Sequence, residues 1–344
     1  MFITPKYIFM ENAPKGISNL GNTCYLNACI QIFSELKPLS NIIKTETVKN
    51  QTKIETLLWK NWHEILCIME TGSNKELLCP NGFIHAIETI SKSKKQTFFN
   101  DCNNQEDIGE FILFLIEGLH ECLSREIKVS ISGHSENETD NFAIEAFKKV
   151  KQSLEKQYSE IMDLFYGISI SSIRNSEGET LSRQFETYML LDLPLPVLNQ
   201  PTTLYVCIQN YVRPEILDGE NKWFNEKTKH YDAVEKGITF WSFPNILIVC
   251  LKRHTYDGNK NSNFIDYPFE LDLSPFVVGY NPSNFIYDLV GICAHSGNVN
   301  NGHYTAFVKK NKDWFFCNDE CIQVVENEKY LKINDAYCLF YVKK

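Results

Sequence analysis

Residues 16 to 33 read Gly16-Ile-Ser-Asn-Leu-Gly-Asn-Thr-Cys-Tyr-Leu-Asn-Ala-Cys-Ile-Gln-Ile-Phe33. The first seven hold two glycines, two asparagines and a serine, which make a turn and not a helix or strand. Beyond it Leu26, Cys29, Ile30, Phe33 and Leu36 recur three or four apart, which predicts a helix with Asn22 or Thr23 at its N-cap. Cys24 then falls in the first helical turn, where free backbone N–H groups and the positive end of the dipole favour thiolate over thiol. A cysteine so placed is a candidate nucleophile if a base lies nearby. The alternative is a small buried packing residue, the commoner fate of a free cysteine.

The rest of the composition narrows the class. At 344 residues the chain can bury a large core. Hydrophobic residues at 43% and charged residues at 22% describe an ordinary globular protein. A net charge of −9 argues against a nucleic-acid binder and suits a basic protein partner better. The longest apolar runs, Phe111 to Ile116 and Ile246 to Leu251, fall far short of the roughly 18 residues of a membrane span. The opening Met-Phe-Ile-Thr-Pro-Lys lacks the features of a secretory signal. Twelve cysteines without a Cys-x-x-Cys pair therefore read as reduced thiols of a cytoplasmic or nuclear protein, with no metal site and no cofactor.

Along the chain, helical periodicity comes first. Residues 1 to 13 read as an arm, and Pro38 to Thr52 as a polar connection. Ile54 to Met69 and a segment after Pro80 are helical, and Asn103 to Leu123 carries an apolar stripe from Ile108 to Leu123 with Glu106, Asp107 and Glu110 in its first two turns. Gly133 to Asp140 has the composition of a flexible loop, followed by a charged helix over Phe142 to Tyr158. Beyond Leu164 the period shortens to that of strands: Ile168 to Ile173, Tyr188 to Leu193, Ile238 to Phe243, Ile246 to Leu251, Tyr287 to Ala294, His303 to Lys309, Asp313 to Cys317 and Ala336 to Val342. Helices first and strands after predict an α+β fold.

Gly-Ile-Ser-Asn-Leu-Gly-Asn-Thr-Cys-Tyr-Leu-Asn resembles the cysteine box of the ubiquitin-specific proteases, the papain-like deubiquitinases. Three further blocks resemble that family in order: Gln105-Glu-Asp-Ile-Gly-Glu-Phe, Pro244-Asn-Ile-Leu-Ile-Val-Cys-Leu-Lys-Arg-His with Tyr267-Pro-Phe-Glu-Leu, and Tyr287-Asp-Leu-Val-Gly-Ile-Cys-Ala-His-Ser-Gly with Gly302-His-Tyr-Thr-Ala-Phe and Trp314-Phe-Phe-Cys-Asn-Asp-Glu. Glu106 stands where the family has a second glutamine, His254 where it has phenylalanine, and Asn301 where it often has glycine. The resemblance implies a papain-like fold, with a helical thumb to about residue 165, then a β-rich palm and an antiparallel finger extension, in one catalytic domain from residue 14 to 344. Family fingers usually carry two Cys-x-x-Cys pairs on zinc. Here no cysteine lies between Cys122 and Cys207, so zinc is expected to be absent and the extension to be held by strand pairing alone. Leu204 to Ile208 resembles a strand flanking it, and Pro214 to Leu217 an acidic segment.

A thiol nucleophile needs a base, and the base an orienting group. By resemblance the base is His303, with His295 in a supporting place, and the orienter is Asn318, whose amide oxygen can accept the imidazole Nδ1–H; Asp319 can share that role. Asn19 and the Cys24 N–H are the implied oxyanion donors. Asp107, Glu110, Tyr304 and His295 are the implied neighbours of a ubiquitin tail. The implied partner is ubiquitin or its conjugates, bound by a monomer. The rivals still open here are a ubiquitin-binding module without turnover and a papain-like acyltransferase or general protease.

Overall fold

The computed structural model describes residues 13–48, 51–71, 76–96, 98–99, 104–196, 201–254, 258–298 and 301–344. The arm expected over residues 1 to 13 lies outside these except for Ala13. Seven helices come first: α1 (Cys24–Glu35), α2 (Lys37–Thr45), α3 (Thr56–Thr71), α4 (Asn81–Ser93), α5 (Ile108–Leu123), α6 (Glu138–Lys156) and α7 (Glu160–Phe165). Strands follow: β1 (Gly167–Arg174), β2 (Thr180–Tyr188), β3 (Leu190–Pro194) and β4 (Thr202–Thr203), then helix α8 (Leu204–Val212), then β5 (Glu215–Leu217), β6 (Trp223–Asn225), β7 (His230–Asp232), β8 (Val234–Ser242), β9 (Ile246–Lys252), β10 (Ile265–Asp266) and β11 (Glu270–Asp272). The chain closes with β12 (Ile286–Gly297), β13 (Gly302–Lys310), β14 (Asp313–Asn318), β15 (Cys321–Val324) and β16 (Ala336–Lys343).

The main sheet runs β15-β14-β13-β12-β16-β9-β3, antiparallel except at β3–β9, with β11 added on β12. Its central strands are buried on both faces, which is why they read as unbroken apolar runs. In β9, Ile246, Ile248 and Cys250 face the helices, while Leu247, Val249 and Leu251 face a second core on the opposite side. Helix α1 lies on the first of these faces. Phe33 sets its depth, with its ring 5.9 Å from those of Phe165 and Phe340 and 6.2 Å from Trp62. At Gly291 the helix comes so close that a Cβ would stand 2.6 Å from Ile32 Cγ2, so β12 has a glycine there.

A second, four-stranded antiparallel sheet, β2-β1-β8-β5, forms the extension. Helix α6 covers it through Phe142, Ala143 and Ala146 against Ile170, Phe185 and Trp241. Arg183 fastens the pair, 2.9 Å from Glu145 and stacked over Phe142. Beyond it the β6–β7 hairpin is held by the Phe224 and Tyr231 rings, 5.1 Å apart, and by Asn225 Nδ2 donating to Asp232 Oδ2 at 2.9 Å. Among the described residues no cluster of three or more His, Cys, Asp or Glu is arranged to hold a metal.

Four local expectations need correction. Much of the stretch from Pro38 is a helix and not a polar connection: Pro38 fits its first turn, and Leu39 and Ile43 are buried. Leu204–Val212 is a helix and not a strand, because the Thr203 hydroxyl accepts from Val206 N–H and caps it. Helix α5 starts at Ile108, so Glu106 and Asp107 precede it. Helix α6 starts at Glu138, inside the stretch expected as loop.

Candidate active site

Cys24 opens α1 and is 4% exposed. Thr23 occupies the N-cap position without a capping bond; its hydroxyl instead donates to Asn19 Oδ1 at 3.2 Å and accepts from Leu20 N–H at 3.1 Å. Burial pushes the Cys24 thiol above the ordinary cysteine value; the backbone N–H groups of Tyr304, Tyr25 and Cys24 pull it down, and the Asp319 charge adds to the rise. Burial thus opposes the pull of the helix terminus, so loss of the thiol proton calls for a base. Helix α1 packs against β13, the strand that bears His303, so the sulfur and the imidazole are carried by elements in contact.

The imidazole of His303 is held by Asn318, whose Oδ1 lies 2.7 Å from Nε2. The expected Nδ1 bond is therefore corrected to Nε2. With that nitrogen occupied, Nδ1 is the ring atom left to accept a proton. The two residues lie on neighbouring strands of one sheet, which fixes their relation without a loop.

Asp319, just past β14, has φ 49°, a left-handed conformation that Asp and Asn tolerate best among residues with a Cβ. Its Oδ2 accepts from Asn19 Nδ2 at 2.9 Å, its Oδ1 accepts from Asn27 Nδ2 at 2.8 Å, and Oδ2 is 3.8 Å from His303 Nε2. Its carbonyl also accepts from Ile17 N–H at 2.9 Å. The chain passes so close here that a Cβ on Gly16 would lie 2.3 Å from the Glu320 oxygen. Asn19 is fixed at both ends, because its Oδ1 accepts from the N–H groups of Gly21 at 3.2 Å and Thr23 at 3.3 Å. One Nδ2 hydrogen goes to Asp319 and the second remains for a ligand.

The third wall is the start of α5. Asp107 is its N-cap, with Oδ1 accepting from the N–H groups of Gly109 at 2.7 Å and Glu110 at 3.1 Å, and Oδ2 accepting from the Tyr337 hydroxyl at 2.5 Å. Both its oxygens are therefore used inside the protein. Tyr304 and His295 are buried as well, with their ring centroids 4.5 Å apart. Burial holds His295 down at about 4, helped by the charges of Lys260 and His254. Of the four tail neighbours implied by resemblance, only Glu110 is exposed; burial, then the charges of Asp107 and Glu106, push its carboxyl up. A cavity of 590 Å³ between α6 and β2 includes none of these residues.

Two residues that matter here went unread in the sequence. Asn27 sits 2% exposed in α1 and ties that helix to Asp319; an asparagine one turn into a helix packed on the core was the signal. Gln105 stands at the head of the block quoted from Gln105 to Phe111, but its pairing with the backbone of Gly302 is not marked there.

A cysteine at a helix start, an imidazole with an amide partner on the adjoining sheet, and the Asn19 amide held just ahead of the helix are the parts the site brings together. The chain belongs to the ubiquitin carboxyl-terminal hydrolase family, whose model matches residues 15–341. It is 28% identical over 364 residues to ubiquitin carboxyl-terminal hydrolase 4 of Saccharomyces cerevisiae, spanning 95% of this chain and 39% of that protein. It is 27% identical over 340 residues to ubiquitin carboxyl-terminal hydrolase 2 of Bos taurus, spanning 95% of this chain and 54% of that protein. The chain thus spans less than two thirds of the length of these relatives. The fold matches the SAGA DUB module solved with bound monoubiquitin at a TM-score of 0.74 and 21% identity, covering all of this chain and 72% of the other. That agreement shows the papain-like α+β architecture with thumb, palm and fingers.

Proposed function

We propose that this chain is a thiol-dependent deubiquitinase that hydrolyses the (iso)peptide bond after the C-terminal glycine of ubiquitin. Family membership supports the class of reaction, and the 2.7 Å bond from His303 Nε2 to Asn318 beside the Cys24 segment carries the assignment of roles. His303 Nδ1 takes the Cys24 proton, and the sulfur attacks the glycine carbonyl carbon. The oxyanion is held by the Cys24 N–H and the free Nδ2 hydrogen of Asn19; losing such a donor lowers turnover on the order of 10²–10³-fold. The imidazolium then gives its proton to the leaving amine as the C–N bond breaks, leaving a thioester. Water, deprotonated by the same imidazole, cleaves the thioester and restores the thiol. Asp319 anchors Asn19 and Asn27 and adds negative charge beside the imidazolium.

Glu110 is the tail-facing acid the surface offers, while Asp107, Tyr304 and His295 shape the cleft from within. The eleven described cysteines are all free, which supports a reducing compartment, cytoplasm or nucleus. The reading assigns residues 14 to 344 to one catalytic domain acting as a monomer.

A ubiquitin C-terminal fluorogenic substrate tests the reading, with Cys24→Ala as control, alongside suicide probes carrying ubiquitin and ubiquitin-like modifiers. Turnover by the native chain alone, with covalent capture by the ubiquitin probe, is expected. Binding without turnover by both proteins, or turnover of short peptides lacking ubiquitin, overturns it.

A further inference from the structure

Strand β13 runs past the end of β14: their pairing starts at Ala306 and Cys317, so Gly302 to Thr305 have a bare edge on that side. Alternate residues of a strand present their main-chain groups to the same side. Gly302 and Tyr304 are such a pair, and His303 lies between them. The Tyr304 N–H is one of the backbone groups that pull the Cys24 thiol down. At the preceding rung, the Gln105 side chain occupies the place of a missing strand: its Nε2 donates to Gly302 O at 2.8 Å, and its Oε1 accepts from Gly302 N–H at 2.9 Å.

We propose that Gln105 is a positioning residue for the reaction, an amide that completes the free edge of β13 at Gly302 and so sets where His303 stands relative to Cys24. The bidentate geometry uses both hydrogen-bonding ends of the amide on one residue, the match a neighbouring strand would give. Gln105 is itself well anchored, two residues before the Asp107 cap and its Tyr337 bond. The hairpin it grips is clasped from the far side by Lys260, which donates to the carbonyls of His295 and, at 3.3 Å, Gly297. Residues 299 and 300 of that hairpin lie outside the described residues; its fixed points are Gly297, Gly302 and these clasps. The role is indirect: Gln105 reaches the reaction through Gly302.

The inference rests on the proposed function for its substrate, so the test pairs two readouts. Gln105→Ala and Gln105→Glu are compared with the native chain for kcat and KM on the ubiquitin fluorogenic substrate. The rate of iodoacetamide alkylation of the Cys24 peptide, followed by mass against pH, reports base and thiol without ubiquitin. A misplacement of the order of an ångström lowers rate by about 10²-fold, so a drop of about 10- to 100-fold in kcat with KM within about twofold is expected for Gln105→Ala, with slower Cys24 alkylation at pH 7. Gln105→Glu keeps the acceptor for Gly302 N–H but sets a carboxylate against Gly302 O. Its activity relative to the native chain therefore rises as pH falls towards the ordinary glutamate value of about 4.3, where a protonated acid donates again. A merely structural loss has no reason to recover on that schedule. Unchanged kcat and alkylation in Gln105→Ala, or a rise in KM alone, overturns the inference. A native chain that fails on ubiquitin while Gln105→Ala still slows Cys24 alkylation refutes the substrate reading and leaves the positioning role standing.

Discussion

Adding one methyl group at Gly302 tests the site where its parts are packed most tightly. A Cβ built there would lie 1.9 Å from His295 Nε2, 2.6 Å from Cε1 and 3.0 Å from Cδ2. These are atoms of a ring and not the end of a flexible chain. The ring is 4% exposed and boxed in by Tyr304, Tyr337 and His254, with centroids 4.5, 5.6 and 5.6 Å away. Either the imidazole leaves its slot or the hairpin lifts. Overpacking of this kind costs about 1–3 kcal/mol, and lifting the hairpin displaces Gly302 from Gln105 and His303 from Cys24. Gly302→Ala is expected to lose about 2 kcal/mol in urea melts and about 10²-fold in kcat. His295→Ala opens the volume the methyl needs, so the double variant is expected to recover kcat above Gly302→Ala alone. The coupling between the two changes is expected to be at least about 1 kcal/mol in a double-mutant cycle. Additive losses, or a Gly302→Ala enzyme with native turnover, would falsify the packing argument.

Two further outcomes follow from charge. His295 is held at about 4 against an ordinary value of 6.5 by burial and by Lys260 and His254, with Asp107 and Asp335 opposing. Between those values the unfolded chain takes up a proton that the folded chain does not, so stability is full above pH 6.5 and falls as pH drops towards 4, by about 3 kcal/mol in all. Urea midpoints from pH 7 to 4.5 measure this, and a His295→Asn variant with the same slope as the native chain refutes it. Asp319→Asn tolerates the left-handed backbone but sets an NH₂ group against one of the two amides it now serves. About tenfold in kcat and about 1–2 kcal/mol in stability are expected to be lost, and native values for both would show that the Asp319 bridge is idle.

The sequence carried the chemistry further than the architecture. Cys24, His303, Asn318 and Asn19 are each marked by a short motif, because a nucleophile needs particular atoms in a particular local frame. The two-sided strands were legible for a similar reason: Ile246 to Leu251 is apolar throughout since cores lie on both of its faces. Helix α2 was hidden because Pro38 reads as a breaker unless it is known to lie in a first turn. Helix α8 was hidden because its short apolar run fits either period until Thr203 is seen to cap it. Neither the packing of α6 on the fingers nor the Gln105–Gly302 pair could be read, since both join segments whose meeting is decided by the whole fold.

That last kind of contact also explains why the thiol and its base stay matched. Backbone and amide links join separate segments around the site, among them Leu78 N–H to Gly16 O, Ile17 N–H to Asp319 O, and Gln105 to Gly302. The first two run through the buried residues Gly16, Ile17 and Leu78, whereas Gln105 is exposed and Gly302 half-buried, so local opening is easiest at the Gln105 link. Cys24 lies in α1 against the core, whereas His303 sits where β13 is paired with β12 on one edge and bare on the other. The clasp at Gly302 lies on that bare edge, one residue from the proposed base. Burial raises the Cys24 thiol, which makes loss of its proton depend on the placement of the imidazole. The same arrangement makes turnover depend on the edge of β13 more steeply than stability does. Substitutions at Gln105 therefore separate rate from folding, while those at Gly302 and His295 strike both.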